Sequence, residues 1–271
     1  INITTANGLP SGSMTVEARI YLRTAKASRI INHEWNSAGT AGRWLLYTDA
    51  SGRVIFGTRD ADETQYNAFS TQIQTGSWYH VAGTYNGSHV SIYINGTLSG
   101  TNTSSGSLDA TGDLDIGGRD QDGFDGMIDE VRMWNRSLSA QQINALYQNK
   151  TDVIVDTETE TYDTWQACVI PNDGTEEGKF NCTNTVTITN RAPLVANIAL
   201  NSTFNQNYTN ENLTVYYNTT DYDGDSVKNI TNWYRNSISI TVLNMPFESG
   251  STSSWTKDYS GFGNNGTPDY T

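Results

Sequence analysis

Between Met14 and Trp134 apolar and polar residues alternate with period two, in runs separated by Gly, Asn, Asp and Ser. That pattern predicts half-buried antiparallel strands. Strands are expected at MTVEARIYL, SRIINHEW, RWLLYTD, RVIFGTR, WYHVAGTY, HVSIYI, TLSG, LDIGG and MIDEVRMW. Two Asn-Gly pairs, Asn86-Gly87 and Asn95-Gly96, join three of them. Type I′ turns need positive φ at both central residues, and this dipeptide supplies it most easily. Trp78 and Val81 read as core residues, Gly83 as a point of close strand approach, and Gly117, Gly118 and Gly126 as bends. One helix is predicted, from Ser139 to Gln148, opened by a Ser139/Gln142 capping box and presenting Ile143, Leu146 and Tyr147 on one face.

From about Thr151 a second region begins. TYDTWQACVIPNDGTEEGKFNCTNTVTITN reads as two strands around an acidic, Gly-containing turn, with Cys168 and Cys182 symmetric about Thr175. Such a hairpin sets the two cysteines opposite one another as a cross-strand disulfide; two free buried thiols are the alternative. After Ala192-Pro193, ENLTVYYNTTDYDGDSVKNITNWYRNSISI supplies two or three more strands.

Composition narrows the function classes. Sixteen basic against 29 acidic side chains leave a net charge of −13, which excludes phosphate-based nucleic-acid binding. No apolar run approaches the ~20 residues of a membrane-spanning helix. Seven Trp, fifteen Tyr and seven Phe in a chain that is 36% hydrophobic are too many for disorder. Thirteen Asn-x-Ser/Thr sequons are present, at Asn2, Asn86, Asn95, Asn102, Asn135, Asn149, Asn181, Asn201, Asn207, Asn212, Asn218, Asn229 and Asn265. Chance at this composition gives about six, so an extracellular or cell-surface glycoprotein is expected. No signal peptide is visible, which fits a processed chain or a fragment.

These residues carry two resemblances. The series SMTVEARIYL, GSWYHVAGTYNGSHVSIYINGTLSG and LDIGGRDQDGFDGMIDEVRMWNRSLSAQQINALY resembles a laminin-G-like (concanavalin-A-like) jelly roll. The stretches around Trp165–Cys182 and Leu213–Trp233 resemble an immunoglobulin-like or PKD-like sandwich, without the antibody-type inter-sheet disulfide. The fold class implied is all-β: a jelly-roll sandwich, an Ig-like sandwich and a short helix at 139–148. Four segments follow: 1–150 as a jelly roll lacking its first strands, 151–192 as the second half of an Ig-like domain, 193–240 as its first half, and 241–271, with VLNMPFESGSTSSWTKDYSGFGNNGT, as the opening of a laminin-G-like domain. The halves stand in permuted order. This implies a tandem unit in which either 152–190 and 194–240 pair within the chain as a permuted domain or neighbouring units complete one another by strand addition, head to tail; the second option is expected, in an array or filament.

Catalysis finds no constellation. Glucanases on this fold need two acidic residues on one strand face, whereas Asp129 and Glu130 are adjacent and point to opposite faces. His33, His80 and His89 lie in strands without a Ser or Cys nucleophile motif, and His80 reads as structural. Calcium is the cofactor considered. Asp221, Asp223 and Asp225 alternate around Gly224, Asp173 lies in a turn at the same pole of an Ig-like sandwich, and Asp129 shares a strand face with Val131 and Met133. Glycan binding by loop aromatics and polar groups points to Trp35, Arg43, Tyr66, Arg119 and Asp120. The reading reached is a non-catalytic extracellular structural or adhesion protein whose partners are copies of itself. The alternative is a calcium-assisted glycan-binding module of a larger secreted protein.

Overall fold

The structure is a computed structural model of the full chain, and it describes all residues except 4–7, 34–42, 61, 63, 109–111, 119, 248–254 and 268–271. Two compact units are present, Ile1–Glu160 and Thr161–Thr271.

The first unit contains eleven strands in chain order: β1 (Asn2–Ile3), β2 (Met14–Leu22), β3 (Ser28–His33), β4 (Arg43–Thr48), β5 (Arg53–Arg59), β6 (Gln65–Gln72), β7 (Trp78–Tyr85), β8 (His89–Ile94), β9 (Thr97–Thr103), β10 (Leu114–Ile116) and β11 (Gly126–Trp134). They form a six-stranded sheet ordered β1-β10-β3-β4-β5-β6 and a five-stranded sheet ordered β11-β2-β7-β8-β9. Every pairing is antiparallel.

The alternation in β2 decides which face is which. Met14, Val16, Ala18, Ile20 and Leu22 are fully buried and pack with Trp44, Leu46, Val54, Phe56, Val81 and Ile92 between the sheets. Gly83 lies where the Phe56 ring crosses from the opposite sheet: a Cβ there would fall 2.3 Å from Phe56 Cγ. His33 also points inward, buried and stacked on Trp44.

Helix α1 (Ala140–Tyr147) starts at Ser139, whose hydroxyl accepts from the Gln142 N–H at 3.1 Å. The reciprocal half of the expected capping box is absent. Gln142 turns away to accept from Val155 N–H and donate to the Val153 carbonyl, and Glu158 accepts from the Ser139 N–H instead. Ile143 and Leu146 pack with Leu138, Ala82, Tyr93 and Trp134 on the outer face of the five-stranded sheet.

Two expectations are corrected by this arrangement. Trp78 is not a core residue; it pairs with Tyr21 on the outer face and is 46% exposed. Asp129 does not share a face with Met133. Glu130 takes φ +51° and the register with β2 jumps between Asp129 and Arg132, so a bulge turns Met133 inward opposite Val16 while Asp129 stays outside opposite Arg19.

The second unit consists of ribbons. β12 (Thr164–Trp165) pairs with β15 (Val186–Thr187), and β13 (Cys168–Val169) with β14 (Asn181–Cys182), giving one long hairpin closed by a Cys168–Cys182 disulfide. β16 (Leu194–Ser202) pairs with β17 (Leu213–Thr220), and β18 (Tyr234–Arg235) with β19 (Ile238–Ser239). Among the described residues these ribbons remain separate two-stranded sheets rather than one sandwich.

Candidate functional site

Among the described residues, each sheet of the jelly roll ends on this flank in a strand paired on one side alone: β1 in one sheet, β11 in the other. Between them opens a groove of about 550 Å³ lined by Ile3, Leu9, Pro10, Leu114, Met133 and Trp134. β10 sets Leu114 inward opposite His33, and the bulge in β11 turns Met133 the same way. Among the described residues, no strand covers this stretch of sandwich core.

In the second unit, residues 242–244 are held by a loop centred on Asp258. The Asp258 carboxylate accepts from the N–H groups of Asn244 (2.9 Å), Ser260 (2.8 Å) and Asn264 (2.9 Å) and from the Ser260 hydroxyl at 2.6 Å. The Asn264 amide donates to the Val242 carbonyl at 3.0 Å, with Ser260 Oγ 3.1 Å from the same oxygen, and Tyr259 N–H donates to the Asn244 carbonyl. The Ser260 hydroxyl and these backbone amides hold the Asp258 carboxyl down to about 2. The main-chain groups of Leu243 and Met245 have no partner among the described residues. Leu243 is 56% exposed, and Val242 and Phe247 are also exposed.

The residues expected to bind glycan do not assemble. Arg43 opens β4 and is 1% exposed, so it is no loop contact residue: period-two alternation placed it at a strand end without showing how deeply it lies. Tyr66 is half-buried, donating to Asp60 and accepting from Ser105. Trp35, Arg119 and the Asp120 side chain lie outside the described residues.

The carboxylates expected to bind calcium serve their own turns. Asp221 accepts from the N–H groups of Asp223 and Asp225, and Asp223 accepts from the Arg191 N–H. Asp173 accepts from Thr175 and Glu176, whose amides hold its carboxyl below the ordinary range. Asp129 is exposed and accepts from the Glu130 N–H at 2.8 Å. Calcium takes six to eight oxygens, and among the described residues no three His, Cys, Asp or Glu side chains converge. Of the thirteen sequons, Asn95 is half-buried with its carbonyl oxygen on the His80 N–H, and the other twelve Asn are exposed.

Sequence reasoning missed a buried ionic cluster under α1. His80 Nε2 lies 2.8 Å from Glu17 Oε2, and Arg132 Nη1 donates to Glu17 Oε1 at 3.1 Å. Glu17 and His80 are buried and the Tyr147 ring lies 6.1 Å from the imidazole. Alternation assigns these side chains to an outer face; only the helix laid across that face makes them interior.

A family model described as the concanavalin A-like lectin/glucanases superfamily, of laminin G type, matches residues 1–144, more than half of the 271. The chain belongs to this superfamily. Among solved structures, this laminin-G-like chain is similar to the native heptameric SAP-like pentraxin of Limulus polyphemus, at 18% identity and a TM-score of 0.45 over 54% of this chain and 75% of that one. It is also similar to domain 4 of AbnA, a GH43 extracellular arabinanase from Geobacillus stearothermophilus in complex with arabinotriose, at 20% identity and a TM-score of 0.44 over 53% and 71%. A third is the mouse laminin α1 chain, domains LG4-5, at 15% identity and a TM-score of 0.41 over 51% and 39%. No curated protein matches the chain.

Proposed function

We propose that this laminin-G-like protein is a non-catalytic extracellular adhesion or surface-structure module whose copies join head to tail by strand addition. The observation that carries the reading is the groove between β1 and β11, which no strand covers among the described residues and which a strand paired on one side alone flanks in each sheet. Its occupant is the segment 241–247 of a second copy, TVLNMPF. That run is uncharged, already held at Val242 and Asn244 by the Asp258 loop, and without main-chain partners at Leu243 and Met245 among the described residues. Each main-chain hydrogen bond formed contributes ~1 kcal/mol net. Each of Leu243, Met245 and Phe247 contributes ~1.5–3 kcal/mol on burial. The contact is heterologous, so it propagates into a chain unless the rotation closes a ring. The Cys168–Cys182 disulfide and the exposed sequons support an extracellular setting.

Sedimentation velocity over a hundredfold range of protein concentration tests this. The wild-type chain is expected to shift toward larger species as concentration rises, and Leu243→Asp, at an exposed position, to remain a monomer. A wild-type chain that stays monomeric throughout overturns the reading.

A further inference from the structure

Asn135 follows the last residue of β11, at the mouth of the groove between β1 and β11. It is exposed and lines that groove beside Met133 and Trp134. Among the described residues that line the groove, it alone opens an Asn-x-Ser/Thr sequon, with Ser137 as the hydroxyl residue. The backbone that carries it is fixed from both sides. Trp134 pairs with Thr15 of β2. The buried Thr15 hydroxyl donates to the Arg136 carbonyl at 3.0 Å and accepts from the Leu138 N–H at 2.8 Å. Arg136 pairs with Glu158 at 3.1 Å, and Glu158 also accepts from the Ser139 N–H. A group attached to Asn135 is therefore anchored at the groove and not on a loop that carries it clear.

The other sequons near an edge of the sandwich are placed differently. Asn2 alternates with the groove-lining Ile3 on β1 and so lies on the other face of its sheet, opposite Asp115. Asn102 stands on β9, at the far flank. That flank is already zipped: the Thr71 N–H donates to Ser99 Oγ and the Asn102 amide donates to the Asn67 carbonyl. Asn135 marks the flank that is open.

We infer that Asn135 is a glycosylation site whose N-linked oligosaccharide shuts the groove to an incoming strand and so ends a chain of copies; this rests on the head-to-tail reading above. The donor is a lipid-phosphate-linked oligosaccharide. A bond forms between Asn135 Nδ2 and the anomeric carbon of the sugar as the bond from that carbon to the phosphate oxygen breaks. The amide proton goes to the departing lipid phosphate. Two costs then oppose strand addition. Sugar hydroxyls pressed against Ile3, Leu9, Leu114 and Met133 lose their water without gaining partners. Pushing the bulky, hydrated oligosaccharide aside instead orders it, which costs entropy. The effect is one-sided. A copy occupied at Asn135 keeps its own segment 241–247 and still docks into a neighbour, but it accepts no further copy. It caps one end of a heterologous chain, so mean chain length falls as the occupied fraction rises.

Sedimentation velocity on protein secreted from a glycosylating host tests the inference, with glycopeptide mass spectrometry reading the occupancy of each sequon. Ser137→Ala removes the Asn135 sequon and leaves Asn135 itself in the groove. Thr151→Ala removes the sequon of Asn149, beyond the end of α1, and serves as the control. The wild type is expected to carry glycan at Asn135 and to need at least tenfold more protein than Ser137→Ala to reach the same mean size. Thr151→Ala should match the wild type. Occupied wild-type copies added to Ser137→Ala should shorten its chains, whereas occupied Leu243→Asp copies, which neither donate nor accept, should not. An Asn135 left bare while other sequons carry glycan, or equal assembly by occupied and bare copies, overturns the gate alone. A Ser137→Ala chain that stays monomeric at every concentration overturns the head-to-tail reading and the gate with it.

Discussion

At the scale of single residues the decisive positions are those where a side chain meets the opposite sheet. Gly83 is open to the Phe56 ring, and the 2.3 Å separation that a Cβ would meet cannot be relieved without moving a fully buried aromatic. Gly83→Ala is expected to destabilise the fold by ~1–3 kcal/mol. Chemical denaturation checks this, and the loss should shrink in a Phe56→Ala background, which removes the Cγ and Cδ2 atoms that the added methyl would meet. An unchanged midpoint in Gly83→Ala would contradict the packing described. The sequence showed a glycine suited to close approach; it did not show that the approaching group is a ring from another sheet rather than a neighbouring strand. Trp78 illustrates the reverse case. Its place in an alternating strand is legible, yet alternation does not say that the outer row beside it is covered by α1 while its own row is not.

Elements were the most legible level. Local rules of alternation, Asn-Gly turns and the Ser139 cap depend on neighbours within a few residues, and most of the strands and α1 follow from them. Elements whose shape is imposed from a distance were not legible. The β11 bulge appears only when Glu130 adopts positive φ to keep Met133 in the core. Likewise the segment at 242–244 is held by a carboxylate fourteen residues later. That dependence has a pH signature. Asp258 titrates near 2 in the fold against an ordinary value of 3.8. Its contribution is fully present above pH ~4 and is lost as pH falls from 3.8 toward 2. The amide resonances of Asn244 and Asn264 should report loss of the loop over that range. Asp258→Asn should abolish the acid step and loosen the loop at neutral pH.

For the whole molecule, the two units differ in how much they enclose. Ile1–Glu160 buries a continuous core with one open flank, whereas Thr161–Thr271 exposes many of its apolar side chains, among them Val169, Phe180, Val195, Leu200 and Leu213. Covering such surface by copies of the same chain makes stability a function of concentration. The melting temperature of the jelly roll is expected to rise with protein concentration, by up to ~1.4 kcal/mol of stabilisation per tenfold once the dissociation constant is exceeded. Scanning calorimetry at several concentrations checks this. The Leu243→Asp chain should melt at one temperature throughout, and a wild-type melt equally insensitive to concentration would count against assembly.

The amino-acid sequence by itself determined the all-β class, the Asn95-Gly96 turn, the capped α1 and two candidate faces for each strand, because these follow from side-chain period and backbone preference over short spans. The expected Asn86-Gly87 turn instead centres on Gly87-Ser88, with Asn86 bonded to His89 and not at positive φ. Tertiary structure alone decided which outer face α1 covers and where it stops. It thereby buried Glu17 and His80, left Trp78 bare, and opened the flank between β1 and β11. The physical reason is that a period-two pattern names two faces but carries no information about what is laid across either of them.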